Sequence, residues 1–258
     1  MNHGFRIFLY SSFILLLYLA AGCSSRYAVT GSTGKMIVVD STWDIQGNEG
    51  ISSIVASYQY KVDSVMNLSI GHSQARLDVF QPESPLSNLT TDMIRHTAAR
   101  ILGKDADMAV TNLGGMRTSL PAGVITLGNA FEIFPFDDNQ IVVTWLRGKH
   151  VKTLLQQIAH RGGEGISGVH MHITTQGDLK DFSITGKVFH PDSLYSVATI
   201  NYVAEGNDGM GAFRQAEKVQ DVPNGNIRDV FINYIQELER NNLAVSARCD
   251  GRITIVKP

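Results

Sequence analysis

The sequence predicts an α/β (α+β) fold, with mixed β-sheets flanked by helices and layered into a single domain over residues 48–258. Three observations predict it. Apolar residues make up 43% of the chain and charged residues 18%, which supplies a real core and argues against disorder. Segments of helical and strand periodicity follow one another without strict alternation, which points to a mixed sheet rather than an all-parallel one. No internal repeat, low-complexity block or Pro-rich linker interrupts them.

The elements follow in chain order. Asn48 to Val65 spaces Ile51, Ile54, Val55, Tyr58 and Val62 as one helical face. Ala75 to Phe80 alternates and reads as a strand. Ser87 to Leu102 reads as a helix with Met93, Ile94, Thr97 and Ile101 on one side. Asp107 to Thr111 is a short strand that runs into a glycine-containing loop. Thr126 is placed to cap a short helix through Phe131. Gln140 to Leu146 is rich in β-branched residues and reads as a strand, followed by an amphipathic helix from Arg147 to His160. Val169 to Thr175, Asp181 to Ile184 and Tyr195 to Ile200 are further strands. Ile227 to Arg240 is a helix, and Arg252 to Val256 a last strand.

Ahead of the domain, residues 1–22 carry one arginine, an apolar run and small residues at the end, the pattern of an export signal. The run is short for a spanning helix. It ends Leu19-Ala20-Ala21-Gly22-Cys23, which resembles a bacterial lipobox with leucine one position further out than usual. That resemblance implies a lipidated Cys23, a tether over residues 23–47, and an exported protein anchored to a bacterial membrane at its periplasmic face or the cell surface. An ordinary signal peptide or a buried cysteine is the alternative. With Cys23 acylated, Cys249 has no intrachain partner and is expected to be structural. The net charge is −2 and no basic stripe is visible, which excludes broad nucleic-acid binding as a partner class.

Chemistry concentrates in two polar loops far apart in sequence. The first is Asn112-Leu113-Gly114-Gly115-Met116-Arg117, followed by Phe134-Pro135-Phe136 and Asn139. Adjacent glycines let backbone approach a ligand, and an arginine fork suits phosphate. The second, Asn201 to Gly209, holds Tyr202, Gly206 and Asp208. Taken singly, each piece also reads as a surface turn, and Phe134 as a core residue. Taken together, they supply two aromatic faces for a base, a carboxylate for ribose hydroxyls and a cation for phosphate.

In this order and spacing, the residues resemble the C-terminal, substrate-binding domain of the 5'-nucleotidase family. The match runs through Asn112-x-Gly-Gly-x-Arg117, Pro121-Ala-Gly-x-Ile-Thr126, Phe134-Pro-Phe136 and Asn201-Tyr-x-Ala-x-Gly-Asn-Asp208-Gly209. Glu83 and Ser87-Asn88-Leu89-x-x-Asp92 resemble a further family segment, and the whole covers roughly Glu49 to Pro258. The resemblance implies that Phe136 and Tyr202 stack on a nucleobase and that Asp208 holds ribose. It implies that Asn112 and Arg117, beside Gly114 and Gly115, grip the substrate, with Asn139 and Gly206 completing the site. Three positions depart from the family: Tyr202 replaces a phenylalanine, Asn207 replaces a glycine, and Gln81-Pro82 stands where an arginine is expected, which implies weaker phosphate binding.

The family's hydrolysis belongs to a metallophosphatase domain with two metals. No Asp-x-His or Gly-Asn-His-Glu run occurs in this sequence, and His170-Met171-His172 lacks nearby carboxylates in sequence, so solvated or packed histidines are expected there. No cofactor is expected in this chain; divalent metals are expected only on a partner metallophosphatase. Three readings stay open: half of a split nucleotidase acting with a separate metallophosphatase chain, a stand-alone nucleoside- or nucleotide-binding lipoprotein, or a structural domain with no ligand.

Overall fold

The computed structural model describes residues 27–41 and 48–257. The expected signal peptide (residues 1–22) and Cys23 lie outside the described residues. The chain divides into two units, residues 1–52 and 53–258. Within the first, residues 27–40 are exposed and carry neither helix nor strand. Helix α1 (Glu49–Met66) crosses the division, and none of its residues is buried.

The second unit contains ten strands and six further α-helices among the described residues: β1 (Ser69–Ser73), α2 (Pro85–Thr97), α3 (Ala99–Leu102), β2 (Met108–Thr111), β3 (Gly123–Thr126), α4 (Leu127–Ile133), β4 (Gln140–Arg147), α5 (Gly148–His160), β5 (Gly165–Ser167), β6 (Val169–Thr174), β7 (Leu179–Ile184), β8 (Leu194–Ile200), α6 (Asn201–Ala204), β9 (Lys218–Asn226), α7 (Ile227–Arg240) and β10 (Ile253–Val256). The main sheet has the order β5-β2-β8-β4-β9. Only β2 and β8 pair in parallel; the other three pairings are antiparallel. A three-stranded sheet, β10-β6-β7, and a β1-β3 ribbon complete the fold. The predicted mixed α/β class holds.

The core explains why these segments become these elements. Strand β2 is buried along its whole length and β8 nearly so, as continuous apolar runs require when both faces are covered. Helix α2 buries Leu86, Leu89, Met93 and Ile94, and α5 buries Val151, Leu154, Leu155 and Ile158, each set at helical spacing. Ser84 caps α2 with a reciprocal Ser84–Ser87 box, so the helix starts two residues before the predicted Ser87. Thr126 caps α4 as predicted, accepting from the Asn129 backbone N–H. Phe134 is buried edge-on against Phe231, ring centroids 5.1 Å apart, and pins the loop that follows α4.

Several predicted elements differ. Ala75 to Phe80 is not a strand: only Leu77 is buried, bridging Leu120, while Arg76, Asp78 and Ser119 bond one another at the surface. The alternation there records one inward side chain rather than a ladder. The helix predicted from Ser87 to Leu102 breaks at Ala98 into α2 and α3. Strands β1, β3, β5 and β9 carry no clear strand pattern. Strand β9 contains Pro223 and Gly225 and lies at the sheet edge, where proline costs no ladder bond on the open side. Cys249, expected to be structural, is exposed, its thiol facing the Glu83 carbonyl oxygen at 3.6 Å.

Glu83 and Asp92 have clear structural partners. The buried Glu83 carboxylate accepts from Asn88 Nδ2 at 2.6 Å and from the backbone N–H groups of Asp250 and Gly251 at 2.7 and 3.1 Å. Asp92 receives the Arg252 guanidinium as a fork, at 2.8 and 2.7 Å. The segment that resembles the family around Ser87–Asp92 therefore clamps the last strand onto α2.

Candidate functional site

The two polar loops meet because of one feature of topology. Strands β2 and β8 are parallel neighbours, so Asn112 after β2 and Asn201 after β8 leave the same edge of the sheet. Strand β4 runs antiparallel to β8 with Ile141 opposite Ile200, so the residues just before β4 arrive at that edge too. Clefts outside the carboxyl ends of parallel strands are common ligand sites for this reason.

At this edge lies a cleft of about 480 Å³, lined by Asn112, Gly114, Gly115, Arg117, Phe136, Asp138, Asn139, Ile200, Asn201, Tyr202, Glu205 and Asp208. Eight of the nine residues singled out from sequence border it. Gly206 does not. It turns the loop at φ 83°, and a Cβ there would lie 2.8 Å from Arg214 Nε, so its place is behind the wall. Phe136 and Tyr202 are half-exposed at 46% and 42%, which leaves ring faces free for a ligand, whereas Phe134 is buried.

Hydrogen bonds hold the loops together. Asn112 Nδ2 donates to Asp208 Oδ2 at 2.6 Å, and the Tyr202 hydroxyl donates to Asp208 Oδ1 at 3.3 Å. Asn201 staples the second loop to the segment that leads into β4: its Nδ2 donates to the Asp138 carbonyl at 2.9 Å and its Oδ1 accepts from Gln140 N–H at 3.1 Å. The Asn112 side chain is buried, and its Oδ1 has no partner. The charge of Asp208, followed by partial burial and their hydrogen bond, raises the Tyr202 pKa, while Arg161 acts the other way. Tyr202 therefore keeps its proton, and remains a donor, at neutral pH.

Two supporting residues, Glu164 and Arg161, escaped the sequence reading, and a third, Gln81, was noted there only as the place of a missing arginine. Glu164 is buried; one oxygen accepts from Leu113 N–H and the other from Arg161 Nε, both at 2.6 Å. Gln81 Nε2 donates to the carbonyls of Arg161 and Gly163 at 2.6 and 3.0 Å. The glutamine that replaces an expected arginine thus holds the turn carrying Arg161. Only chain distance hid these contacts, since none of the three lies in either polar loop. Glu164→Ala removes a charge-assisted hydrogen bond from the half-buried Leu113 N–H, a loss of about 1.5–3 kcal/mol of stability. Thermal melts should show that loss, and Glu164→Gln, which keeps the acceptor, should recover most of it.

The lining contains three carboxylates, Asp138, Glu205 and Asp208, against the single guanidinium of Arg117. No histidine lines it, and no group of three or more His, Cys, Asp or Glu side chains able to hold a metal occurs among the described residues. His170 and His172 project from β6 to the exposed side, with His172 paired to Asp181 at 2.6 Å. The residues present therefore do not fit a two-metal centre.

Fold and cleft together define an α/β domain with a cleft assembled from loops at one sheet edge. The chain belongs to the 5'-nucleotidase C-terminal domain family, whose model matches residues 65–215. It is similar to the trifunctional nucleotide phosphoesterase protein YfkN of Bacillus subtilis, 27% identical over 219 residues, 76% of this chain and 14% of that protein. The cell wall protein Lmo0130 of Listeria monocytogenes is 28% identical over 238 residues, 82% of this chain and 30% of that protein. The crystal structure of a 5'-nucleotidase precursor from Thermus thermophilus aligns with a TM-score of 0.68 and 27% identity, covering 80% of this chain and 43% of that one. The chain thus spans less than a third of the length of either curated relative.

Proposed function

We propose that this domain is the nucleotide- or nucleoside-binding half of a 5'-nucleotidase, acting in nucleotide catabolism with a separate metallophosphatase chain. In this reading Phe136 and Tyr202 sandwich the base, Asp208 accepts from the ribose hydroxyls, and Asn112 and Arg117 hold the phosphate side. Asn139, which also lines the cleft, completes the site in this reading. The partner supplies the divalent metals and the attacking water; no step of hydrolysis is assigned to residues of this chain. One observation carries the reading: loops distant in sequence converge on one cleft that holds two half-exposed aromatic rings, a cross-linked carboxylate and an arginine. Stacking contributes about 1–3 kcal/mol per base, so a sandwich plus a ribose contact reaches roughly micromolar affinity.

Calorimetric titration of the chain with adenosine and AMP tests the binding half of this reading. Mixing the protein with a metallophosphatase chain encoded beside it, and measuring phosphate release from AMP, tests the rest. Release only on mixing supports the split enzyme. Binding with no release from any mixture leaves a stand-alone nucleoside receptor, which the three carboxylates against one arginine favour. A folded chain that gives no heat with either ligand sinks both.

We also propose that the protein is exported and lipid-anchored through Cys23. The lipobox-like Leu19–Cys23 run supports the anchor, and similarity to a protein named for the cell wall supports export alone. Among the described residues no helix is long and apolar enough to cross a membrane. Cys23→Ser should abolish labelled-palmitate incorporation and release the protein from the membrane fraction; unchanged labelling would refute the anchor.

A further inference from the structure

Asp208 is held in an unusual way. Its backbone is left-handed, at φ 50°, on a non-glycine residue. Its carboxylate receives one protein donor on each oxygen: Asn112 Nδ2 on Oδ2 at 2.6 Å and the Tyr202 hydroxyl on Oδ1 at 3.3 Å. A carboxylate has about four acceptor positions, two on each oxygen. One position on each oxygen therefore remains for a further donor. Two neighbouring hydroxyl donors on one ring match that arrangement; a single hydroxyl fills only half of it.

The two donors differ in what they add. Asn112 is buried and belongs to the first loop, so it ties Asp208 to the scaffold. Tyr202 is half-exposed, and its ring borders the cleft while its hydroxyl reaches Asp208. A phenylalanine would offer the same ring face but no donor. The carboxylate would then be held through one oxygen only.

We propose that the Tyr202 hydroxyl is a positioning group that orients Asp208 for a vicinal diol, and so sets a preference for ribonucleosides over 2'-deoxyribonucleosides. This rests on the nucleoside-binding reading above. One side chain then serves two purposes: its face meets the base, and its tip presets the sugar acceptor. Sugar discrimination becomes separable from stacking by removal of one oxygen atom.

The test is calorimetric titration of the full chain and of Tyr202→Phe with adenosine and with 2'-deoxyadenosine. A hydrogen bond to a charged acceptor corresponds to roughly 10- to 100-fold in affinity, so the unaltered chain should prefer adenosine by at least about 10-fold. In Tyr202→Phe that preference should shrink by about 5-fold or more, because adenosine affinity falls further than 2'-deoxyadenosine affinity, with a thermal melt to confirm folding. A merely structural tyrosine would weaken both ligands alike and leave their ratio intact. An unchanged ratio in Tyr202→Phe overturns the proposal while nucleoside binding stands. Absence of adenosine binding to the folded, unaltered chain overturns the nucleoside reading and the proposal with it.

Discussion

On the proposed nucleoside-binding reading, Phe136→Ala should weaken adenosine binding by roughly 5- to 150-fold, the loss expected when one aromatic face is removed from a stacked base. Phe136 is the cleaner of the two aromatic probes. It is half-exposed, and the loop that carries it is pinned by the buried Phe134 and by the Asn201 bond to the Asp138 carbonyl. Truncation therefore removes a ring face without releasing the backbone. Tyr202→Ala should cost more, because it removes a ring face and a donor to Asp208 together. The double variant should show no measurable heat at ligand concentrations that saturate the unaltered chain. Titration of each variant, with a thermal melt to confirm folding, decides the matter. A Phe136→Ala affinity within about 2-fold of the original would mean that the ring contributes nothing to the ligand.

Arg252→Ala should destabilise the domain by roughly 2–3 kcal/mol, a fall in melting temperature of about 4–12 °C for a domain of this size, because Asp92 and Asp250 are half-exposed and water screens the charges left behind. Arg252 is buried, and its guanidinium meets Asp92 at 2.8 and 2.7 Å, Asp250 at 2.9 and 3.2 Å, and the Ile166 carbonyl at 3.0 Å. Asp92 also accepts from the Ser167 hydroxyl at 2.6 Å. One side chain thus joins α2, β5 and the segment that leads into β10. Burial alone would lower the arginine pKa; the bonds to Asp92 and Asp250 more than offset it, and the net direction is upward. The cation is therefore fully charged at all working pH values, and its loss leaves the Asp92 and Asp250 carboxylates without their shared counter-charge. Arg252→Lys should recover only part of the stability, because an ammonium cannot reproduce the planar fork. A melting temperature within about 2 °C of the original in Arg252→Ala would show that the clamp adds little.

The two kinds of site residue differ in how legible they were. Asn112, Arg117, Phe136, Tyr202 and Asp208 stand in short segments whose residue types already point to a base, a sugar and a phosphate. Their spacing along the chain was enough to suggest the family. Glu164 gave no such signal, and Gln81 stood out only as the residue where an arginine was expected. Each acts through a partner more than fifty residues away in sequence. Asn201 lay inside a recognised loop, yet its task of stapling that loop to Asp138 and Gln140 depends on β4 and β8 being neighbours.

The same division runs through the fold. Helical spacing in α2, α5 and α7, the cap at Thr126 and the β-branched run of β4 are local properties, set by side-chain sterics and by burial of one face. The sequence by itself determined these elements, the mixed α/β class, the family and the residue types at the cleft. Strands β1, β3, β5 and β9 needed partners before their polar or proline-containing segments could become strands. The false strand at Ala75–Phe80 shows the converse, since alternation without a partner makes no ladder. Only the tertiary structure decided that β2 and β8 run parallel side by side, and that pairing is what brings Asn112 within 2.6 Å of Asp208. The physical reason is range: periodicity and capping act within a few residues, whereas strand pairing and buried hydrogen bonds are settled by whichever distant groups the packed core brings together.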